Sequence, residues 1–308
     1  MSARLGSDPL QVQGPGGNTS VKDGDVMWVK ASGTELADAE RRDIFVPVDR
    51  VAALSEAREA AGDGSCKSTV LDPTTGLRPS IETTFHAALN HAVVAHTHSV
   101  ATLAHVIGPE GRDAAARKLG GLPFLMVPYA KPGLPLTREI LARITPEIRI
   151  ILLANHGLIC CGATVEEVSG LIAEVEARLQ IQPKAASAEP DKPAHDAGFH
   201  WAETGWLARE GLALIKGGSY YPDHVVFLGP GLSEHDPESD APAILVPDVG
   251  VLVRNSATPA QLAMLKCLSD VLLRLPSNWS AEPIGPTAEA ELLNWDAEKY
   301  RQALAKRT

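Results

Sequence analysis

Residues 80–99 read SIETTFHAALNHAVVAHTHS. Ser80 is suited to cap a helix, and an acid, Glu82, follows it closely. The spacing predicts a helix over Ile81–Asn90, with Ile81, Phe85, Ala88 and Leu89 on its apolar side, then a buried strand over Ala92–Thr97. Side chains alternate along a strand, so His96 and His98 share a face. Two imidazoles there can hold one metal ion. A structural Zn²⁺ site takes four protein ligands, whereas a catalytic one takes three and keeps a position for substrate or water. The candidate third ligand is His156, in Asn155-His156-Gly157 at the end of the apolar strand Ile148–Ala154. Three neutral imidazoles suit Zn²⁺ or a related transition metal better than Mg²⁺ or Ca²⁺. His86 and His91 share no helical face and read as structural or surface histidines. Adjacent Cys160 and Cys161 face opposite ways on a strand and read as buried small hydrophobes.

Glu82 alone is a helix-start acid favoured by the exposed N–H groups of the first turn. Beside a metal it becomes a candidate general base. An ion chelating a hydroxy-ketone acidifies the adjacent C–H, Glu82 removes that proton, and the metal stabilises the enediolate. The glycine-rich stretch Gly14-Pro15-Gly16-Gly17-Asn18 is not a dinucleotide fingerprint, because no strand precedes it and a hairpin follows. Its glycines let backbone N–H groups approach an anion, with Asn18, Ser32 and Ser80 as side-chain donors.

The 308 residues are 44% hydrophobic and 21% charged, the composition of a globular chain with a sizeable core. A net charge of −10 without a basic run argues against nucleic acid and anionic membrane as partners. No apolar run approaches the ~18 residues of a membrane span, and MSARLGSDPL lacks the apolar core of a signal peptide. Four cysteines in so long a chain point to a reducing, cytoplasmic setting and leave the Asn278-Trp279-Ser280 sequon to chance.

Along the chain, Asp23-Gly24 marks a hairpin over Asn18–Ala31. Short strands are expected at Ile44–Val46 and Phe124–Pro128, and helices after Thr34 and Asp49, at Val100–Ile107, at Leu136–Ile144 and after Thr164. Residues 183–198 read as a linker by composition. Beyond it the pattern predicts helices at Trp201–Leu214, Pro259–Leu275 and Glu289–Ala305, and strands at His224–Leu228 and Ala243–Val253. The expected division is an α/β domain over residues 8–182, the linker 183–198 and a smaller α/β domain over 199–308. The histidines of the second part, His195, His200, His224 and His235, have no ligand spacing, and that part is assigned no chemistry.

Three stretches in order, GGNTSVKDGDVMWVKASGTEL, PSIETTFHAALNHAVVAHTHS and ANHGLICCG, resemble the class II aldolase/adducin family over roughly residues 8–182. That family includes fuculose-phosphate and rhamnulose-phosphate aldolases and ribulose-phosphate 4-epimerase. With PDHVVFLGP and ILVPDVGVLVRNSATPAQ added, the chain looks like the aldolase portion of bifunctional rhamnulose-phosphate aldolase/dehydrogenase proteins, without their dehydrogenase half. The resemblance implies an α/β/α sandwich with a central, mainly antiparallel sheet, Zn²⁺ on His96, His98 and His156, and Glu82 as acid/base. It places Gly17, Asn18, Ser32, Gly33 and Ser80 on phosphate-binding positions and Tyr129 where some aldolases contact substrate. It also implies a homo-oligomer, in many members a tetramer. One departure concerns the substrate: fuculose-phosphate aldolase has two serines before the acid, and here the pair is Ser80-Ile81.

The expected activity is retro-aldol cleavage of a sugar or sugar phosphate. Epimerisation and decarboxylation on the same fold share the enediolate. A non-catalytic domain like the adducin head is disfavoured because those domains lack the metal histidines, which are present here.

Overall fold

The structure, a computed structural model, describes residues 1–59, 62–188, 190–234 and 240–306, so His235 lies outside the described residues. Seven strands form the large sheet: β1 (Asn18–Asp23), β2 (Val26–Lys30), β3 (Phe45–Asp49), β4 (Val93–Thr97), β5 (Phe124–Val127), β6 (Ile150–Leu153) and β7 (Gly157–Gly162). Their order is β3-β2-β1-β4-β7-β6-β5; β5 and β6 pair in parallel, and every other neighbouring pair is antiparallel. The Asp23-Gly24 turn closes the β1–β2 hairpin in the register Asp23 opposite Val26.

The first seven helices are α1 (Ser2–Ser7), α2 (Arg50–Arg58), α3 (Thr83–Ala88), α4 (Val100–Val106), α5 (Pro109–Lys118), α6 (Leu134–Leu141) and α7 (Val165–Leu179). Asp49 caps α2 by accepting from the N–H groups of Val51 and Ala52, and Thr164 caps α7 through Glu167. Strand alternation sorts the apolar side chains into two layers. Val93, Ala95, Ile150, Leu152, Leu158 and Cys160 join the core under α4 and α7, while Val94, Ile151, Leu153, Ile159 and Cys161 pack with Phe85 of α3 and Ile140 of α6. The result is the expected α/β/α sandwich. Cys160 and Cys161 lie buried in opposite layers.

A second sheet lies in the C-terminal region: β8 (Phe199–Trp201), β9 (Ser233–Glu234), β10 (Ala243–Val246) and β11 (Gly250–Arg254), in the order β8-β11-β10-β9. Helices α8 (Leu212–Ile215), α9 (Pro222–Leu228), α10 (Pro259–Arg274), α11 (Pro286–Leu293) and α12 (Asp296–Ala305) complete the fold. One apolar cluster runs from α4 and α7 of the first part into α9, α10 and the small sheet. Residues 182–198 form no helix or strand among the described residues.

Several expected elements differ. The segment His224–Leu228 is helix α9, not a strand: Pro222 stands at its first turn, and all seven residues are buried, so no amphipathic period survives. Trp201–Leu214 is not one helix. Trp201 ends edge strand β8 opposite Leu252, and short turns follow around Gly205 and Gly211. The last helix is two, broken where Trp295 takes an extended backbone between α11 and α12, with Lys131 over its ring. The sequence reading passed over α5, which starts at Gly108-Pro109. Helix α3 is shorter than Ile81–Asn90 because Ser80 first winds a turn of its own and Leu89 is already extended on the way to β4.

Candidate metal centre and active site

His96 is the penultimate residue of β4 and faces the α3 layer, edge-on to the ring of Phe85. His98 follows one residue past the strand end, on the same side. His156 enters from the β6–β7 turn. There Asn155 holds a positive φ of 54° and donates from its amide to the carbonyls of Tyr220 and Glu282. The ligand atoms of His96, His98 and His156 lie within 4.8 Å of one another, and all three residues are buried.

The ring nitrogens are sorted by their partners. His96 Nδ1 donates to the Leu158 carbonyl at 3.0 Å, and His98 Nδ1 faces Asp223 Oδ2 at 3.2 Å. These acceptors assign the protons to Nδ1 and leave both Nε2 lone pairs facing each other, 3.1 Å apart. Two such lone pairs repel, and a cation beside both relieves the repulsion. Two nitrogens of one tetrahedral Zn²⁺ shell sit roughly 3.3 Å apart at the usual bond lengths. Burial lowers the pKa of His96 to about 4 and of His156 to about 3, so both rings are neutral ligands at neutral pH.

Glu82 immediately precedes α3, in the same buried space. Its Oε2 is 3.5 Å from His96 Nε2 and its Oε1 is 3.5 Å from His156 Nε2. Asn18 donates from Nδ2 to Oε2 at 2.8 Å, whereas Oε1 is buried with no hydrogen-bond donor. Burial works against the carboxylate, but the facing His96 and His156 rings and the Asn18 amide outweigh it and hold its pKa down at about 2. A buried carboxylate oxygen without a donor beside the His156 ring, with the facing Nε2 atoms of His96 and His98 in the same cluster, fits a divalent cation.

His86, expected to be structural, is fully buried and orients Asn18. Its Nδ1 accepts from Ser20 Oγ at 2.7 Å, and its Nε2 donates to Asn18 Oδ1, which turns the Asn18 amide N–H toward Glu82 and Ser80.

A cavity with about 380 Å³ of empty space opens on this cluster, and Gly17, Asn18, Ser32, Gly33 and Ser80 all line it together with Glu82, His98 and His156. Room for the centre of a water-sized sphere is only about 20 Å³, enough for roughly one water. A sugar requires the roof to move. That roof comes from α9 and α12: Asp223, Glu298 and Arg301 line the cavity, and Leu304 packs over Gly33. Tyr129 is not among the lining residues, and its hydroxyl is buried without a partner.

Four charged lining residues are not marked by any pattern in the sequence. Lys30 is buried and donates to the Pro15 carbonyl at 2.9 Å, and burial and the nearby Arg301 lower its pKa to about 7. Trp28 shares its strand face and is 36% exposed, so nothing in the alternation marks Lys30 as interior. Asp223, Glu298 and Arg301 sit in the part assigned no chemistry. Arg301 forms a fork on Asp223, at 2.9 and 3.3 Å, and reaches Glu298 Oε2 at 2.8 Å.

A sequence profile described as the class II aldolase and adducin N-terminal domain matches residues 4–183. The chain belongs to this family. An uncharacterized oxidoreductase, YuxG, of Bacillus subtilis is 31% identical over 176 residues, 53% of this chain and 25% of that protein. A 3-oxo-tetronate 4-phosphate decarboxylase of Escherichia coli K12 is 32% identical over 121 residues, 34% of this chain and 56% of the enzyme. The match thus spans a quarter to about half of these relatives. Among solved structures, an N-terminal class II aldolase domain from Thermoplasma acidophilum is 31% identical with a TM-score of 0.50, over 58% of this chain and 88% of that one. Members of this family are divalent-metal enzymes in general, and Asp223, Glu298 and Arg301 lie beyond the matched residues.

Proposed function

We propose that this protein is a metal-dependent carbon–carbon lyase that cleaves a ketose or ketose 1-phosphate into a three-carbon ketone and an aldehyde. The observation that carries the reading is the cluster of three buried imidazoles, their ligand atoms within 4.8 Å of one another, with Glu82 beside it: Oε1, which has no hydrogen-bond donor, is 3.5 Å from His156 Nε2. His96, His98 and His156 would hold the ion, Zn²⁺ or another divalent transition metal. When bound, the metal supplies Lewis-acid polarisation of a chelated hydroxy-ketone and offsets charge that develops on its oxygens.

Glu82 is ionised at neutral pH, and its Oε1 is free to carry a proton. In the synthetic direction Oε1 takes the C–H proton beside the carbonyl. In the cleavage direction the carbinol O–H gives up its proton as the C–C bond breaks and the aldehyde forms, and Oε1, having taken up that proton, delivers it to the enediolate carbon. The Asn18 N–H on Oε2 keeps the other oxygen aimed at the cavity. Gly17, Asn18, Ser32, Gly33 and Ser80 offer donors to a substrate phosphate or hydroxyl, and Lys30 adds a buried amine whose charge depends on what binds beside it. The arrangement calls for α12 to lift as substrate enters, because the closed cavity is too small for a sugar.

Decarboxylation is the second reading, favoured by the likeness to the Escherichia coli decarboxylase. Both begin from a chelated oxygen next to a carbonyl and differ in which bond breaks. The deciding experiment loads the full chain with Zn²⁺, Co²⁺ or Mn²⁺ in turn. It then follows aldehyde release from a panel of ketose 1-phosphates and free ketoses, and CO₂ release from 3-oxo acids and their phosphates. Aldehyde release that disappears in His96→Ala supports the lyase. No turnover of any ketose, with CO₂ released from an oxo acid, replaces it with the decarboxylase.

A further inference from the structure

We infer that Asp223, from the region beyond the matched family domain, is a positioning residue of the metal centre and fixes His98 as a ligand. The inference rests on the metal-centre reading above. A metal-binding imidazole needs its second ring nitrogen tied down, or the ring can rotate or bind its proton on the wrong nitrogen. The three histidines here differ in this respect. His96 is tied to a backbone carbonyl, and His156 Nδ1 has no hydrogen-bond partner. His98 is tied to a carboxylate, with Asp223 Oδ2 3.2 Å from its Nδ1. That hydrogen bond turns His98 Nε2 to within 3.1 Å of His96 Nε2, the face the ion would share.

Asp223 is itself built in. It is 2% exposed and stands in the first turn of α9. The Arg301 fork holds both of its oxygens, and Glu298 holds Arg301 from the other side. The titratable and charged groups around it are Arg301, the His98 ring and, further off, Glu298, Lys30 and Glu82. Gly16, in the glycine-rich entrance, completes the arrangement from the opposite side. A Cβ there would lie 2.8 Å from Asp223 Oδ2 and 2.9 Å from His98 Nδ1, so a side chain would wedge the pair apart. This accounts for one of the glycines through contact with the protein's own histidine rather than with an anion. It also gives the C-terminal region a chemical task, since α9 supplies the carboxylate and α12 its cationic clamp.

The test uses the full chain stripped of metal and titrated with Zn²⁺ alone against a chromophoric chelator, and with Co²⁺ alone to read its d–d absorption. The wild-type chain should take up one ion per chain, and His96→Ala none. Asp223→Ala should bind Zn²⁺ about 10–100-fold more weakly and show an altered Co²⁺ spectrum, the range for losing an outer-shell partner. Asp223→Asn still offers an oxygen to His98 Nδ1–H and should recover much of that loss, which a merely structural role in clamping Arg301 would not produce. Gly16→Ala should weaken Zn²⁺ in the same direction and decides the matter if Asp223→Ala does not fold. Wild-type affinity and an unchanged Co²⁺ spectrum in Asp223→Ala overturn the inference and leave the metal site standing. A wild-type chain that binds no ion removes both.

Discussion

Gly157 is a sensitive point of the framework around the three histidines. It starts β7, directly after His156, and pairs with Leu153. An added Cβ would lie 2.4 Å from the Thr97 carbonyl oxygen, 3.3 Å from His96 Cε1 and 3.4 Å from His98 Cδ2. The first contact is with backbone and cannot be relieved by a side-chain rotation. Gly157→Ala must therefore push β4 and β7 apart at their histidine end. Forcing one methyl into a packed interior costs about 1–3 kcal/mol. At roughly 2–4 °C per kcal/mol for a large chain, the melting temperature should fall by roughly 2–12 °C. The same shift moves His96 and His98, so Zn²⁺ affinity should drop about tenfold or more, measured by chelator competition on the stripped protein. Gly170→Ala is the control. Gly170 lies inside α7 on an exposed face with nothing within 4 Å of an added Cβ, and alanine there should stabilise by about 0.5–1 kcal/mol. An unchanged melting temperature and Zn²⁺ affinity in Gly157→Ala would refute the packing argument.

Glu82→Gln should retain the metal and lose about 10²–10⁴-fold in proton exchange at the substrate carbon, read by deuterium incorporation into the three-carbon ketone; wild-type exchange would dismiss Glu82 as the proton carrier. The metal-free protein should lose stability as pH falls from about 6.5 toward 4. Burial lowers His105 to about 4 and His224 to about 3, so the unfolded chain takes up protons in that window that the folded chain refuses. Each contributes on the order of 3 kcal/mol, fully present above the unfolded pKa; urea midpoints that stay flat over this range would contradict it. Limited proteolysis should cut within residues 185–198 first, where the described residues are exposed and irregular, and the two pieces should stay together on gel filtration because one apolar cluster spans both. Separation of the pieces would show that the shared core holds little.

The sheet and the three-histidine cluster were legible because each depends on short-range pattern. Strand alternation put His96 and His98 on one side, and the apolar run before His156 marked a second strand end. Asp49 and Thr164 carried their capping roles in their identity. The hairpin followed from Asp23-Gly24. The glycine-rich entrance, with Asn18, Ser32 and Ser80 as donors, was readable from residue type, and Gly17, Asn18, Ser32 and Ser80 line one cavity.

Other features depended on long-range packing. The PDHVVFL segment has β-branched residues that read as a strand, yet burial on every side makes it helix α9. The Glu289–Ala305 pattern continues unbroken through Trp295, where the backbone is extended, the ring meets Lys131, and α12 begins. His86 looked like a spare histidine until its contacts with Ser20 and Asn18 gave it a part in orienting the acid's partner. Sequence by itself determined which atoms can bind a metal, because ligand chemistry and strand period are local properties. Tertiary structure decided which groups steady those ligands and what roofs the cavity. Asp223 and Arg301 reach His98 from distant helices, and no local period records a contact made across the chain.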